Sequence, residues 1–272
     1  IKFFMESLTH TLINLRYFWF FFVTLALLMI YIKNSNIGDI MKKILLILAL
    51  MGSTFIAAQE RPFQAFFGIK TDNPLAVVSA LDSFSNANCP GTSSVRLMQE
   101  LFNGPEETTH TIIVTFPNKM SYLMWANNWT NCPAAGKFLN TMNEISEQTY
   151  QFMGMPLMGD GDPNADQVFQ VFLMDVKDPA NYAKAYSNLM SSGEQCAGSW
   201  ALVAMGPGMN VERYGTHFAY CGFKDIDVYL DGYMSNVTPT KEYTDFIKKV
   251  SNIRELKAVN MSGVVKDWAP QQ

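Results

Sequence analysis

The sequence predicts an α+β fold: two tandem βαββαβ units that pair their antiparallel sheets within one chain. Three observations lead there. Phe63-Gln64-Ala65-Phe66 recurs as Phe169-Gln170-Val171-Phe172, 106 positions on, and each copy is followed by Asn-Pro or Asp-Pro, at Asn73-Pro74 and Asp178-Pro179. Further matches keep nearly that spacing: Cys89 with Cys196, Thr109-His110 with Thr216-His217, Phe116 with Phe223, and later Phe138 with Phe246, Ile145 with Ile253 and Met153 with Met261. A slowly drifting offset with matched residue types is what duplication plus small insertions leaves behind. Finally, Val171, Phe172, Leu173 and Met174 put apolar side chains on both faces of one strand, so a lone sheet would expose a patch that a second sheet must cover.

Each copy reads in the same order. A run of strand length, Phe63 to Lys70 or Val168 to Val176, leads into a helix whose Asn or Asp can cap and whose Pro fits the first turn. In the second copy Tyr182, Ala185, Tyr186 and Leu189 recur at spacings of three and four, one buried stripe. A hairpin follows, turning at Gly206-Pro207-Gly208 in copy two and near Asn103-Gly104-Pro105 in copy one. Two helical pieces are expected next, 118–127 with 135–146 and 225–233 with 240–250. Closing strands are expected over 149–157 and 258–265.

The composition bounds the rest. The chain has 272 residues, 49% hydrophobic and 16% charged, with a formal charge of -4 and four cysteines, which excludes disordered, collagen-like and low-complexity classes. Met41-Lys42-Lys43, an apolar run from Ile44 to Met51 and small residues up to Ala57-Ala58 have the three regions of a secretory signal, with cleavage expected after Ala58. Residues 1–40 read as translation of AT-rich DNA upstream of the true start; the rival is a membrane helix over Tyr17 to Ile32, short for a span of about 20 residues. The expected organisation is therefore 1–40 non-native extension, 41–58 signal peptide, 59–158 first repeat, 159–167 linker and 168–272 second repeat. Beyond Ala58 acidic residues outnumber basic ones and form no basic patch, so no nucleic-acid partner is expected. Nor is stable membrane insertion expected once the signal is removed. The protein is predicted to be periplasmic or secreted, and all four cysteines lie after the cut, which suits an oxidising compartment.

The stretches Phe172-Leu173-Met174-Asp175-Val176-Lys177-Asp178-Pro179-Ala180-Asn181-Tyr182 and Ile112-Ile113-Val114-Thr115-Phe116-Pro117-Asn118, the latter followed by Trp125, resemble the dimeric α+β barrel superfamily. Its members include antibiotic-biosynthesis-type monooxygenases and stress-responsive barrel proteins. The resemblance implies ferredoxin-like units paired sheet against sheet, here fused in tandem so that one chain forms an intramolecular pseudodimer.

His110 and His217 are the histidines of the exported part and stand at equivalent positions near the start of the third strand. As a pair facing one cavity they could serve as acid/base groups; the simpler account is a repeated Thr-His dipeptide with each ring bonded locally. Cys196 and Cys221 lie equidistant from the copy-two turn, which suggests a cross-strand disulfide and leaves Cys89 to pair with Cys132. Trp125, Trp200 and Phe172, with the plentiful methionines, could wall an apolar ligand site or simply be core. The Asp-rich stretch 159–166 lacks a calcium-loop pattern and reads as a linker. No cofactor or metal signature is present.

Two functions of different class follow. The first is an exported binding or interaction module whose barrel interior is either filled by side chains or holds a small apolar ligand. The second, which the resemblance implies, is a cofactor-independent monooxygenase-like enzyme using the barrel cavity with His110 or His217. The sequence leaves enzymatic activity open.

Overall fold

The computed structural model describes residues 62–269 apart from 88, 90–92, 194–195 and 236–238; the expected signal peptide and the segment before it lie outside the described residues. The first unit contains β1 (Phe63–Lys70), α1 (Pro74–Ser85), β2 (Ser94–Phe102), β3 (His110–Phe116), α2 (Lys119–Asn131), α3 (Pro133–Ile145) and β4 (Glu147–Asp160). A 3-10 turn at Pro163–Ala165 leads to β5 (Val168–Val176), α4 (Pro179–Met190), β6 (Trp200–Met205), α5 (Val211–Tyr214), β7 (His217–Phe223), α6 (Ile226–Ser235), α7 (Lys241–Val250) and β8 (Arg254–Trp268). Both halves are βαββαβ, as predicted.

Eight antiparallel strands close into a barrel in the order β1-β3-β2-β8-β5-β7-β6-β4. Each unit contributes a four-strand run, β4-β1-β3-β2 or β8-β5-β7-β6, and the runs meet edge to edge at β2–β8 and β6–β4. Closure explains why β4 and β8 are longer than the sequence suggested, at 14 and 15 residues. The first part of β4 pairs with β1 up to Gly154, and the rest pairs with β6. Strand β8 is divided likewise between β5 and β2. Among the described strands no sheet edge is then left open.

The capping read from sequence is present. The Asn73 side chain accepts from the Ala76 amide and Asp178 from that of Asn181, each with Pro at the first turn. Helices α1 and α3 bury Val77, Leu81 and Met142 against Ile112, Val114 and Phe116 of β3. Helices α4 and α7 bury Tyr182, Tyr186, Phe246 and Val250 against Met174 and Ala219. The alternate residues of the same strands face the lumen, so the double-faced greasiness of β5 resolves into Phe172 and Met174 toward helices and Phe169, Val171 and Leu173 toward the interior.

One sequence match was out of register. Phe63 pairs with Phe116 and Val168 with Phe223, so Phe63 corresponds to Val168 and not to Phe169. A one-residue slip exchanges the two faces of a strand. Phe66 thus corresponds to Val171, and both line the lumen, whereas Phe172 corresponds to Phe67 and faces helices.

Disulfides join Cys89 to Cys132 and Cys196 to Cys221. The second does not arise from the cross-strand symmetry inferred from sequence. Cys221 pairs in the ladder with Trp200, while Cys196 lies ahead of β6 and reaches across to it. The expected linker is partly structural: the buried Asp166 carboxylate accepts from the Ser199 amide at 2.8 Å and its hydroxyl at 2.5 Å.

Candidate functional site

The lumen holds a cavity of about 730 Å³. Its middle is apolar and aromatic: Phe66 stacks on Phe152 at 4.6 Å between centroids, Phe218 meets Phe66 edge-on at 5.5 Å, and Ile113, Val171 and Leu173 complete that wall.

Within it lies a carboxylate. Strand β2 alternates, so Ser94, Arg96, Met98 and Glu100 point inward. Glu100 Oε1 accepts from Thr111 Oγ1 at 2.6 Å and Oε2 from Ser262 Oγ at 2.6 Å. The Tyr150 hydroxyl stands 2.7 Å from the same Thr111 oxygen. A threonine hydroxyl has one proton, so when Thr111 donates to Glu100, Tyr150 must donate to Thr111. The result is a directed chain from Tyr150 through Thr111 to Glu100. Glu100's two hydrogen bonds come from neutral hydroxyls, and burial raises its pKa above 4.5 although those bonds pull the other way. Burial first, then the nearby Glu100 charge, pushes the Tyr150 phenol far above its ordinary range and keeps it protonated. A carboxylate made more basic by burial, on the wall of an apolar cavity, can take a proton from a bound molecule.

Charged pairs neutralise the two ends. At one, Glu106 in the β2–β3 turn accepts from Arg213 Nε at 3.1 Å, Arg213 Nη2 at 2.7 Å and the Tyr214 hydroxyl at 3.0 Å, joining the first unit to α5 of the second. At the other, Arg96 grips Asp267 through Nε and Nη2, donates to the Pro163 carbonyl at 3.0 Å, and lies over the Phe169 ring.

The histidines are placed elsewhere. In β3 and β7 they have the same parity as the helix-facing residues, so Thr111 and Phe218, the next residues along, line the cavity. Each Nδ1 instead lies against the hydroxyl of the preceding threonine, at 3.0 Å for His110 and 2.9 Å for His217. Those threonines accept equivalent amides, of Thr71 and Val176. The repeated Thr-His thus ties the start of the third strand to the end of the first. Burial lowers the pKa of both rings. Trp125 packs with Phe116 and Trp129 beneath α2, Trp200 meets the Tyr186 ring, and Phe172 packs in the same outer cluster as Trp200. None of the three lines the cavity.

Sequence reasoning did not single out Glu100, Thr111, Tyr150 or Ser262. The available signal was a carboxylate in the alternation of Ser94 to Glu100, within a strand whose hairpin partner β3 carries an apolar run from Ile112 to Val114. Among the described residues no group of three or more His, Cys, Asp or Glu side chains could share a metal ion, and no helix is long and apolar enough to cross a membrane.

No family model and no curated protein matches the chain. Solved structures share the fold. A candidate monooxygenase from Fusobacterium nucleatum is 18% identical with a TM-score of 0.51, the match covering 78% of this chain and 95% of that one. A candidate monooxygenase from Lactobacillus acidophilus is 14% identical with a TM-score of 0.50, covering 78% and 97%. An anthrone oxidase-like protein is 11% identical with a TM-score of 0.52, covering 80% and 97%.

Proposed function

We propose that the lumen binds a small apolar, ring-containing molecule by its one polar, proton-donating end, in a protein exported to an oxidising compartment. The observation that carries this is the pairing of an apolar cavity of about 730 Å³ with Glu100, which is wired to Tyr150 through Thr111, while the other two lining carboxylates, Glu106 and Asp267, are paired with Arg213 and Arg96. Ligand sites are commonly concavities of roughly 300–1,000 Å³, mainly apolar with a few placed polar groups. The two disulfides support the compartment, and the matched residues and equivalent topologies support descent from one duplicated unit.

A second reading is cofactor-independent oxygenation in the same cavity. It is favoured by the raised basicity of Glu100 and by the kind of protein that shares the fold. Glu100 would take the substrate's acidic proton, leaving an electron-rich anion that reduces dioxygen. One oxygen atom replaces two hydrogens' worth of bonding on a ring carbon as a carbonyl, the other leaves as water with those two hydrogens, and the substrate supplies the electrons. His110 and His217, on the helix side, are not needed for this step.

Native mass spectrometry of the purified full chain should reveal a copurified apolar molecule. Fluorescence titration should show 1-hydroxypyrene bound more tightly than pyrene, with that preference abolished by Glu100→Gln. Equal binding of the two probes by wild type, or an unchanged preference in the variant, would remove Glu100 from the site. Oxygen uptake with a bound phenolic ligand separates the second reading from the first.

A further inference from the structure

The barrel's pseudo-twofold plan offers each lumenal position twice, and hydrogen-bond register identifies the counterparts. Glu100 stands opposite Ser262 at the β2–β8 junction, and Met205 stands opposite Gly154 at the β6–β4 junction. Met205 is therefore the counterpart of Glu100, and Gly154 that of Ser262. Thr111 and Phe218 directly follow the equivalent histidines. Tyr150 corresponds to Ala258, since these pair with the matched positions Gly68 and Leu173. Every member of the polar chain thus has an apolar counterpart.

The cavity obeys the same asymmetry. Strand β2 contributes Ser94, Val95, Arg96, Met98 and Glu100 to its wall, and β6 contributes none of its residues. Phe66, Phe152 and Phe218 occupy the space in front of β6, packed on its Ala201 and Val203. Gly154 lets them in: a Cβ there would come within 2.9 Å of the Phe66 ring and 3.0 Å of Val203. The geometry points to a barrel with one binding site where its architecture has places for two. The first unit keeps the polar pocket, and the three buried phenylalanines plug its counterpart.

This deepens the binding reading and rests on it. Its test uses the full chain titrated with 1-hydroxypyrene, a four-ring phenol that carries the polar, proton-donating end the site is proposed to read. The expected result is one equivalent bound, at least tenfold weaker binding in Glu100→Gln, and a less than twofold change in Met205→Ala at the counterpart position. Phe152→Ala combined with Phe218→Ala should add a second equivalent while circular dichroism stays native. The smaller change Phe218→Thr, which installs the residue of the other half, serves if the double variant does not fold. Two equivalents in wild type, equal effects at positions 100 and 205, or a folded plug variant that still takes one equivalent would each overturn the single-site inference while leaving a lumenal site intact. No binding by wild type would instead sink the binding reading, and this inference with it.

Discussion

Glu100 is a carboxyl on an apolar cavity wall whose two hydrogen bonds come from neutral hydroxyls. A carboxyl held in an apolar lumen keeps its proton to higher pH than in the unfolded chain, so it contributes stability below pH 4.5 that is lost as pH rises through its raised folded-state value. Glu100→Gln cannot titrate. Its unfolding free energy, measured in urea, should therefore gain on wild type as pH climbs from 4.5 toward neutrality; a constant difference would mean that the carboxyl is fully hydrated. The histidines act in the opposite sense. Their folded-state values lie below 6.5, so the stability tied to their neutral rings is present above pH 6.5 and lost as pH falls through the lowered values. Replacing both by Gln should flatten that acid limb of the stability profile without altering probe binding in the cavity. Loss of binding would return them to the site.

At the scale of elements, caps and crosslinks set how firmly helices seat on the barrel. Asn73→Ala or Asp178→Ala removes a side-chain acceptor at a helix start and should cost about 1 kcal/mol in urea unfolding. Opening Cys196–Cys221 by serine substitution at both positions should cost about 2–4 kcal/mol, because the bridge restrains the unfolded chain. Elements were also what the sequence made legible. Asn-Pro and Asp-Pro marked helix starts, glycine and proline marked hairpins, and the periodicity at Tyr182 to Leu189 marked a buried face. Register was not legible, because Phe-Gln-Ala-Phe matches Phe-Gln-Val-Phe by letter one step away from where it matches by hydrogen bonding. By hydrogen bonding Phe172 matches Phe67, on the helix side, and not Phe66 in the lumen. The polar chain was hidden for a related reason. Glu100, Thr111, Tyr150 and Ser262 come from four strands: the first three meet when β2, β3, β1 and β4 pair, and Ser262 joins when β8 closes against β2, so no single segment carries the set.

For the molecule as a whole, stability rests on two seams. Strand β8 supplies the partner of β2, and Lys266 and the Trp268 indole reach from it to Asp82 on α1 at 2.6 and 2.8 Å. Deleting residues 264–272 should unzip the β2 seam, expose the lumen's apolar wall and abolish the cooperative melt, with higher-order species on size-exclusion chromatography. A truncated chain that still melts sharply as a monomer would show that one seam suffices.

The shared strands also impose an order of birth. A chain emerging from its amino end can assemble β1 to β4 early, yet β2 must wait for β8, the last of the eight barrel strands in sequence, and the tail of β4 must wait for β6. Until then the nascent first half carries two bare, greasy margins of the sort that recruit strangers. Organisms making this protein should accordingly depend on holding factors during its passage out of the ribosome, more heavily than for a barrel whose neighbours in space are neighbours in time.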